Sequence, residues 1–400
     1  MSVVAQSRRS SNRWDVIVVG ARAAGAATAM LLARGGLRVL CLDRARYGGD
    51  TLSTHALMRG GVLQLQRWGL LDAVVAAGTP PVHRTVFHYG AETVGVSIRP
   101  SAGVDALYAP RRTVIDALLV DAAQRAGATV EFGTAVTGLH RSSDGRVAGV
   151  LLGRRREDAD RGGARVEHAP LVIGADGRNS LVARLVGADN GPAGRSASSF
   201  LYGYWADLPT DGYEWFYGKG LTAGAVPTNA GLTCAFIGGP PARIHHLVNE
   251  RSPLDAFLAL AEPAGIGSRI HRAARAEPVR YVRALPPGYL RTAHGPGWAL
   301  VGDAGHWIDP MSTHGMTSAF RDAELLAQAV LSAPGGSPAQ LSTLAGYQAT
   351  RDRLSGPMMQ VTEEIAAYRW DLTRIRTLLR TLSSAMTDEV EALGELDQVA

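Results

Sequence analysis

One segment near the start of the chain constrains the fold more than any other, because it joins two buried strands through a helix. Residues 15–19 (DVIVV) form a β-branched run that predicts a fully buried strand, and residues 37–42 (LRVLCL) predict a second one. Between them, residues 23–34 are rich in Ala and Leu and contain no Pro, which predicts a helix. Strand, turn, helix and strand within about thirty residues are typical of a βαβ unit. The pattern therefore predicts an α/β fold.

The turn of this unit has the sequence GARAAG, residues 20–25, which is a variant of the dinucleotide-binding fingerprint. Gly20 permits the tight turn, and Gly25 lets the helix pack close to the strand. The helix N-terminus around Ala24 then offers free N–H groups and a positive dipole end to a pyrophosphate. Arg22 replaces the middle glycine, and its side chain could swing aside or pair with phosphate. An ordinary α/β turn is the alternative interpretation.

The second strand ends at an acidic residue, in the position where dinucleotide-binding folds bind ribose. Asp43 lies 23 residues after Gly20, and a carboxylate there accepts hydrogen bonds from ribose hydroxyls. An acid also favours an unphosphorylated ribose over a 2′-phosphate. We therefore predict that Asp43 and the adjacent Arg44 contact the cofactor.

Two further glycine motifs follow predicted strands later in the chain. One strand leads into GADGRNS, residues 174–180, and the other leads into GDAGHWIDP, residues 302–310. Between the two motifs, residues 190–290 contain alternating aromatic stretches that suggest an antiparallel sheet. The α/β unit is therefore expected to be interrupted by a second, sheet-rich region. Residues 339–396 are mostly helical in pattern, and the charged residues 153–165 predict a loop.

Taken together, GARAAG, GADGRNS and GDAGHWIDP, in this order and spacing, resemble the motifs of flavoprotein hydroxylases of the p-hydroxybenzoate hydroxylase type. The resemblance covers the chain from about residue 14 to 330. It implies an α/β fold in which a Rossmann-type FAD-binding domain is interrupted by an antiparallel-sheet substrate domain and followed by a C-terminal helical segment. The implied boundaries are 14–79, 104–188 and 287–335 for the FAD-binding domain, 80–103 and 189–286 for the substrate domain, and 336–400 for the helical segment.

The resemblance also implies roles for residues of the second and third motifs. Asp303, which follows Gly302, would bind the ribityl hydroxyls of FAD. Asp176 and Gly177 lie in the segment that serves both FAD packing and pyridine-nucleotide access in this family.

Further implied cofactor contacts lie around the three motifs. Arg112, in the run RRTVIDALL, matches the arginine that the family places near the flavin pyrophosphate, and Val136 falls where a backbone group meets the adenine. Pro310, Gly315 and Met316 belong to the loop and helix start that the family points at the flavin N1/O2 edge. A helix N-terminus there would stabilise negative charge on reduced flavin.

Two histidines are candidate catalytic residues. His55 and His314 each end a Ser-Thr-His triplet, and both triplets fall in regions that pass near the flavin in this family. Each histidine could act as an acid or base or orient an anionic substrate. The alternative is that each only bonds the cofactor or the backbone. The second triplet also departs from the family, which usually has Gly at Thr313 and Asn at Thr317.

The resemblance implies an FAD-dependent monooxygenase that inserts one oxygen atom from O2 into a small organic substrate, aromatic or polycyclic, through a flavin C4a-(hydro)peroxide. NADH or NADPH would be the reductant and would bind transiently, because the chain has one Rossmann fingerprint. Four aromatic residues are candidates either for a substrate pocket or for ordinary sheet packing: Trp205, Trp215, Phe216 and Tyr217.

Three alternative functions stay open. A flavin-dependent reductase or dehydrogenase of the geranylgeranyl reductase type shares the three motifs and inserts no oxygen. A flavin halogenase would use an active-site lysine and a WxWxIP segment, whereas this chain has Lys219 as its single lysine and lacks that segment. A non-catalytic flavin-binding protein is the third alternative, since Arg22, Thr313 and Thr317 depart from the usual pattern.

Composition argues against several other classes of protein. The net charge is +5, and the basic residues are almost all arginines that are scattered along the chain, so no nucleic-acid groove is predicted. Two distant cysteines, Cys41 and Cys234, provide neither a disulfide framework nor metal-ligand spacing, which favours a reducing cytoplasm and predicts no metal site. Glycine and arginine interrupt the apolar residues 16–33, so no membrane span is predicted. The sequence leaves the oligomeric state open.

Overall fold

The fold is known from a computed structural model that describes residues 14–51, 53–153, 165–189, 191, 193–218, 220–283, 285–333 and 335–396. In chain order its strands are β1 Val16–Val19, β2 Val39–Leu42, β3 Arg84–Tyr89, β4 Glu92–Ser97, β5 Thr129–Glu131, β6 Val136–Arg141, β7 Val147–Leu152, β8 Arg165–His168, β9 Leu171–Gly174, β10 Ser199–Ala206, β11 Tyr213–Gly218, β12 Leu221–Pro227, β13 Thr233–Gly239, β14 Ala274–Arg275, β15 Arg280–Val282, β16 Tyr289–Leu290, β17 His294–Gly295, β18 Trp298–Leu300 and β19 His306–Trp307.

Its helices are α1 Ala23–Arg34, α2 Arg59–Arg67, α3 Leu71–Ala76, α4 Arg112–Arg125, α5 Leu181–Val186, α6 Pro241–Glu250, α7 Pro253–Ala261, α8 Gly267–Ile270, α9 Gly315–Leu331, α10 Pro338–Ala366 and α11 Leu372–Gly394. The bounds of α1 coincide with the helix predicted from the alanine-rich segment. The sequence predictions for the N-terminal residues 1–13, expected to be disordered, and for most of the loop at 153–165 lie outside the described residues.

The predicted βαβ unit forms the centre of a six-stranded sheet in the order β17-β18-β9-β1-β2-β5. β1 pairs in parallel with β2 and with β9, and β18 pairs in parallel with β9. Because these strands run parallel, their carboxyl ends lie at the same edge of the sheet. The loops after β1, β9 and β18 carry the three glycine motifs, so motifs far apart in sequence meet at that edge.

Two layers cover this sheet, as the alternation of buried side chains requires. Val18 and Cys41 belong to a large core with residues of α1, α4 and α9 on one face. On the other face, Ile17 and Leu40 pack with Val147 of β7, which lies in a three-stranded sheet in the order β6-β7-β8. The strand residues of β1 and β2 are therefore buried on both sides, which explains why both segments are apolar throughout.

A second, eight-stranded sheet has the order β14-β10-β13-β12-β11-β3-β4, with β15 also paired to β10. β10, β13, β12 and β11 are antiparallel neighbours, while β11 is parallel to β3. The predicted fold class is confirmed, because a mixed α/β sheet, an antiparallel sheet and C-terminal helices are all present. The domain boundaries given by the sequence stay a prediction.

The second sheet has two different faces. One face is filled with aromatic rings and joins the large core that also holds α1 and α9. We call this the aromatic face, and its members are Phe200, Tyr202, Tyr204, Tyr213, Trp215, Tyr217 and Phe236. The opposite face packs against α6, α7 and α8 in a separate core, where Trp205 stacks on Phe257 with ring centroids 4.8 Å apart.

The C-terminal helices pack on the first half of the chain. Each begins at a capping residue: Ser337 Oγ accepts the backbone N–H of Gln340 at 3.2 Å, and Asp371 Oδ1 accepts that of Arg374 at 2.7 Å. α10 packs against α9, and α11 packs against α10 and α2. The sequence left open whether these helices cover the flavin-binding region or an oligomer partner, and within this chain they cover α2 and α9.

Candidate functional site

The glycines of the first and third motifs are required by close backbone contacts. Gly20 has a φ of +104°, and a methyl group on it would lie 2.4 Å from the carbonyl oxygen of Ala175. A methyl group on Gly25 would lie 1.8 Å from the Gly20 oxygen, and one on Gly302 would lie 2.7 Å from the Cβ of Ala24. The glycines therefore allow the turn after β1 to pack against the loops after β9 and β18.

The N-terminus of α1 has the features of an anion site. Arg22 occupies the N-cap position, and its side chain makes no capping hydrogen bond. The Arg22 Nη1 group is buried and finds no hydrogen-bond acceptor among the described residues. Exposed helical N–H groups and an unpaired guanidinium N–H are the donors that a pyrophosphate accepts. Arg22 therefore replaces the usual glycine without removing the capacity to bind phosphate.

Arg112, assigned to the pyrophosphate by resemblance, is the first residue of α4, which packs against α1. Its guanidinium pairs with both oxygens of Asp116, each at 2.9 Å from Nη2. Burial raises the pKa of Asp116, while the charges of Arg112 and Arg22 act to lower it. Asp116 is thus a residue of this corner that the motif search did not single out, although it lies four positions after Arg112.

The ribose end of the predicted cofactor site is a cleft with about 290 Å³ of free volume, part of it open to solvent. Asp43 lines it, and its carboxylate accepts the backbone N–H groups of Ala21 at 2.8 Å and Ala45 at 2.7 Å. The rings of Tyr47 and Phe132, 5.6 Å apart, also line the cleft. Asp43 therefore ties the first strand to the second at the position where a ribose would bind.

Two residues predicted to bind the cofactor lie away from this cleft. Arg44 follows Asp43 but has an exposed side chain that is not part of the lining. Val136 opens β6 and packs at the margin of the core under the three-stranded sheet. Their roles at the cofactor stay predictions.

Asp303 is half-buried, and its carboxylate is not used by the described part of the protein. Burial raises its pKa to about 6, although the charges of Arg112 and Arg178 act to lower it. Its backbone oxygen accepts the hydroxyl of Tyr289 at 2.8 Å, whereas no donor to its side chain is found among the described residues. A half-buried acceptor of this kind suits the hydroxyl groups of a ribityl chain.

The second motif uses its aspartate locally. Asp176 accepts the Ser180 hydroxyl at 2.5 Å and the backbone N–H of Leu181 at 2.6 Å, so that it caps α5. Gly177 follows with a φ of +78° and open space where a side chain would be. These contacts build the loop, and a further role of Asp176 and Gly177 at the cofactor stays a prediction.

The third motif ends in a second helix N-terminus without a side-chain cap. Pro310 begins a 3-10 turn, and Thr313 adopts a left-handed φ of +54°, which explains why the family usually has Gly there. α9 begins at Gly315, where a methyl group would meet no atom within 4 Å. Met316, the next residue, packs against the large core. The start of α9 therefore has open space beside Gly315.

His55 lies at the junction between the first half of the chain and the aromatic face. It is fully buried, has a left-handed φ of +66°, and its backbone N–H is bound by Ser53 Oγ at 3.0 Å. Its Nε2 shares a short hydrogen bond with the hydroxyl of Tyr204. Burial, with the nearby charges of Arg112 and Arg111, lowers the pKa of His55 to about 3. His55 is therefore a neutral imidazole at pH 7.

His314 differs from His55 in its backbone, with a φ of −116° in place of the left-handed +66°, and in its side-chain partner. Its backbone N–H is bound by Ser312 Oγ at 3.2 Å, and its Nε2 shares a short hydrogen bond with Oε2 of Glu389 on α11. The other oxygen of Glu389 accepts Arg321 Nη1 at 3.0 Å. Burial acts to raise the pKa of Glu389, but the charges of His314 and Arg321 lower it below its usual value. No sequence motif pointed to Glu389.

Arg111 is a second site residue that the sequence did not reveal. Its guanidinium carbon lies 4.0 Å from the centre of the Tyr204 ring, on the aromatic face. It pairs with Glu277 at 2.5 Å and with Asp50 at 3.3 Å. Arg111 therefore joins the loop after β2 to the second sheet next to His55.

The four aromatic residues predicted to line a pocket or to pack in a sheet lie on opposite faces of the second sheet, two on each face. Trp215 and Tyr217 lie on the aromatic face, whereas Trp205 and Phe216 pack in the separate core against α6 to α8. Lys219, which bears on the halogenase alternative, lies outside the described residues.

Over the described ranges, no cluster of three or more His, Cys, Asp or Glu side chains is arranged to hold a metal. The helices that the structure describes include none that is both long enough and apolar enough to cross a membrane.

Comparison with known proteins agrees with this site. Residues 13–204 match the family model described as FAD binding domain. The chain is 29% identical over 376 residues to kynurenine 3-monooxygenase of Salinispora arenicola, covering 85% of this chain and 76% of that protein. It is 27% identical over 350 residues to menaquinone reductase of Mycolicibacterium smegmatis, covering 80% of this chain and 77% of that protein. The crystal structure of pqsL from Pseudomonas aeruginosa, a probable FAD-dependent monooxygenase, aligns with a TM-score of 0.77 at 21% identity, covering 92% and 99%.

The fold, the three glycine loops and the matched domain define an FAD-binding oxidoreductase. Residues 13–204 thus match an FAD-binding domain, and over most of its length the chain is similar to a monooxygenase and to a reductase.

Proposed function

We propose that the protein is an FAD-dependent monooxygenase that inserts one oxygen atom from O2 into a small, largely aromatic or polycyclic organic substrate, with NADH or NADPH as the transient reductant. The observation that carries this proposal is the continuity of the large core. The aromatic face of the second sheet and the strands and helices that carry the glycine loops belong to the same buried cluster. His55 and Tyr204 lie where these two parts meet.

The unpaired polar groups of the chain suit FAD. The N-terminus of α1 and Arg22 would bind the pyrophosphate, with Gly20, Ala24 and Gly25 giving it access. Asp43 would accept the adenosine ribose hydroxyls, and Asp303 the ribityl hydroxyls. Arg112 would support the phosphates, but part of its charge is used by Asp116. Arg22 Nη1 carries the most weight, because it is buried without a partner among the described residues and such a group is costly without a ligand. The Asp43 carboxylate already accepts two backbone N–H groups and would use its remaining acceptor capacity.

When bound, FAD supplies the redox chemistry and the activation of O2. The protein would position the substrate against the cofactor, exclude water and supply groups that stabilise charge. The exposed N–H groups at the start of α9, around Gly315, would stabilise negative charge on the reduced cofactor. Neutral His55 can accept or donate one hydrogen bond at Nδ1, which is buried and has no partner among the described residues. It would therefore hold a substrate hydroxyl or carbonyl without adding charge.

The aromatic face supports an aromatic or extended apolar substrate. Its rings include Tyr202, Tyr204, Trp215 and Phe236, and they are buried in the core that His55 also contacts. Aromatic walls bind planar rings through large buried contact areas and through edge or face packing. A water-poor site also protects a reactive oxygen species from wasteful breakdown.

The test begins with the purified protein. Its visible spectrum should contain bound flavin, and NADH or NADPH oxidation should be stimulated by some members of a panel of phenols, aromatic acids and quinones. With 18O2, the product should carry one labelled oxygen atom. A product without label, or a substrate that is only reduced, would refute oxygen insertion.

A flavin-dependent reductase is the second candidate, and the 27% identity to menaquinone reductase favours it. This enzyme would consume NAD(P)H and reduce its substrate under anaerobic conditions. A monooxygenase would need O2 for product formation. Anaerobic turnover with menaquinone analogues therefore separates the two candidates in one experiment.

A further inference from the structure

We propose that the hydroxyl groups of Tyr368, Thr222 and Ser198 form a subsite for a neutral oxygen of the substrate, a carbonyl or a hydroxyl, and that Tyr368 is a specificity-determining residue. This inference rests on the proposed function, because it takes the aromatic face as the substrate wall. Tyr368 lies in the turn between α10 and α11, far beyond the matched FAD-binding domain, which ends at residue 204.

The hydroxyl of Tyr368 lies directly on the aromatic face of the second sheet. In the strand register, Gly238 of β13 stands between Phe200 of β10 and Thr222 of β12. A methyl group on Gly238 would lie 2.9 Å from the Tyr368 hydroxyl and 2.7 Å from Cε1 of Phe200. The glycine therefore leaves a gap in the sheet surface, and the hydroxyl of Tyr368 fills it.

The hydrogen-bonding capacity of these hydroxyls is only partly used. The Tyr368 hydroxyl lies 3.3 Å from Thr222 Oγ1, and both oxygens lie 3.3 Å from the Met311 sulfur. Thr222 Oγ1 also lies 3.5 Å from the carbonyl oxygen of Gly238. Two hydroxyls usually bond at about 2.7–2.8 Å, and a thioether sulfur is a weak acceptor. Ser198 Oγ is fully buried and makes no hydrogen bond with a described residue. Because buried polar groups are stabilised by hydrogen bonds, these hydroxyls favour a ligand oxygen beside them.

Met311 covers the hydroxyls on the side of the cofactor loop. It follows Pro310 in the loop between β19 and α9, and its side chain is only half-buried. A methionine side chain is flexible and its sulfur accepts only weak hydrogen bonds, so a ligand oxygen can displace it. Displacing Met311 would expose the hydroxyls beside the loop that leads to the start of α9.

The charge next to this subsite favours a neutral oxygen over a carboxylate. Asp309 accepts the backbone N–H of Ser198 at 2.8 Å and that of Met311 at 3.0 Å. Burial raises the pKa of Asp309 to about 6, although these contacts act to lower it, so the carboxylate is mostly ionised at neutral pH. Burial also raises the pKa of Tyr368, so its hydroxyl stays neutral. The hydroxyls can donate to and accept from a carbonyl or hydroxyl, whereas Asp309 would repel a second anion.

The turn after α10 holds Tyr368 against the sheet in an unusual backbone conformation. Its φ is +53°, in the left-handed region that a bulky residue rarely adopts. The Trp370 ring lies 6.0 Å from the Tyr368 ring and 6.1 Å from that of Tyr217 on the aromatic face, and its Nε1 donates to the Ile365 oxygen at 2.8 Å. Such a backbone persists only where the surroundings enforce it, which is frequent at ligand sites.

The test compares the binding of three bicyclic probes of similar size: naphthol, naphthalene and naphthoate, with the substituent on the same ring carbon. Equilibrium dialysis against the holoprotein gives a dissociation constant for each probe. The variants are Y368F and T222V, with Y347F as the matched control. Tyr347 is another buried tyrosine, on α10, but its hydroxyl donates to the Leu300 carbonyl at 2.8 Å, outside the subsite.

Naphthol should bind to the wild type more tightly than naphthalene or naphthoate. Y368F should weaken naphthol binding by about three- to tenfold, as expected for one hydrogen bond, and leave naphthalene binding unchanged. T222V should weaken naphthol binding in the same way, because it removes a second hydroxyl of the subsite. Y347F should match the wild type for all three probes.

Equal weakening of naphthol and naphthalene in Y368F would show a general packing role and overturn the proposal. Unchanged naphthol binding in Y368F, no naphthol binding to the wild type, or tighter binding of naphthoate than of naphthol would also overturn it. Flavin content of the same preparations tests the proposed function separately. Protein without flavin would refute that function, while dialysis would still decide whether the hydroxyls bind a neutral oxygen.

Discussion

The two Ser-Thr-His triplets share one backbone hydrogen bond but differ in conformation and surroundings, since φ is +66° at His55 and −116° at His314. In each, the serine hydroxyl binds the histidine backbone N–H, at 3.0 Å for His55 and 3.2 Å for His314. In each, Nε2 is bound by a partner, and Nδ1 finds no partner within the described part of the chain. His55, however, faces the hydroxyl of Tyr204 and lies among arginines, whereas His314 faces the carboxylate of Glu389.

The two histidines therefore lie in different electrostatic surroundings. Burial and nearby arginines disfavour a proton on His55, whereas His314 pairs with a buried carboxylate. Sequence identity of a triplet therefore does not imply identity of function.

The largest effect should come from Asp303, because the proposed function depends on a bound cofactor. Asp303→Ala removes the acceptor predicted for the ribityl chain, so the variant should lose flavin and, with it, all flavin-dependent activity. Flavin content after gel filtration measures this, with the exposed Asp72→Ala as control. Retained yellow colour in Asp303→Ala would refute the assignment.

The next-largest effect should be a loss of folding stability at the buried ion pairs around Glu389. Arg321→Leu leaves Asp322 and Glu389 as buried carboxylates without their shared cation, and the free energy of unfolding should fall by about 3–5 kcal/mol. Urea unfolding measures it. Arg376→Leu, which breaks a surface pair with Glu92, should change stability little. Equal losses in both variants would contradict the buried network.

On acidification, the contribution of His55 to folding stability should be lost at a higher pH than the contribution of Glu389. Because the pKa of folded His55 is about 3, the unfolded chain binds a proton that the folded chain does not between about pH 6.5 and 3. Stability therefore falls as the pH drops through this window, by about 2 kcal/mol between pH 6.5 and 4.5. Glu389 has a lowered pKa, so its contribution is lost only below the ordinary range of a glutamate.

The variant His55→Asn tests this window, because Asn tolerates the left-handed backbone at this position. Urea unfolding of this variant should show a smaller fall in the free energy of unfolding between pH 6.5 and 4.5 than the wild type shows. The control His246→Gln, which changes an exposed histidine, should show the same fall as the wild type. An unchanged loss in His55→Asn would mean that other groups cause the acid sensitivity.

The smallest effect should come from the partner of His55. Tyr204→Phe keeps the ring under Arg111 and removes only the hydroxyl that binds Nε2, so unfolding should become easier by about 1 kcal/mol. Flavin content should not change, while turnover should fall if the ring orientation of His55 matters. Phe200→Leu, on the same face, is a control for general packing. Equal turnover in Tyr204→Phe and the wild type would make the hydrogen bond structural only.

The sequence by itself determined the cofactor-binding framework. The glycines of GARAAG and GDAGHWIDP follow apolar strands, and for Gly25 the need for close backbone contact is local: a methyl group on it would lie 1.8 Å from the oxygen of Gly20, five residues earlier. The apolar runs that form β1 and β2, and the alanine-rich run that forms α1, likewise carry their own periodicity. Such features depend on neighbours in the chain, so the residue pattern is enough to predict them.

Only the tertiary structure decided the partners and charges of the histidines. Tyr204 lies 149 positions from His55, and Glu389 lies 75 from His314, with no motif that links either pair. The same holds for Trp205, whose face of the second sheet depends on strand register. The proton on an imidazole follows from burial and from charges that other elements bring near it, and this is why two identical triplets became different sites.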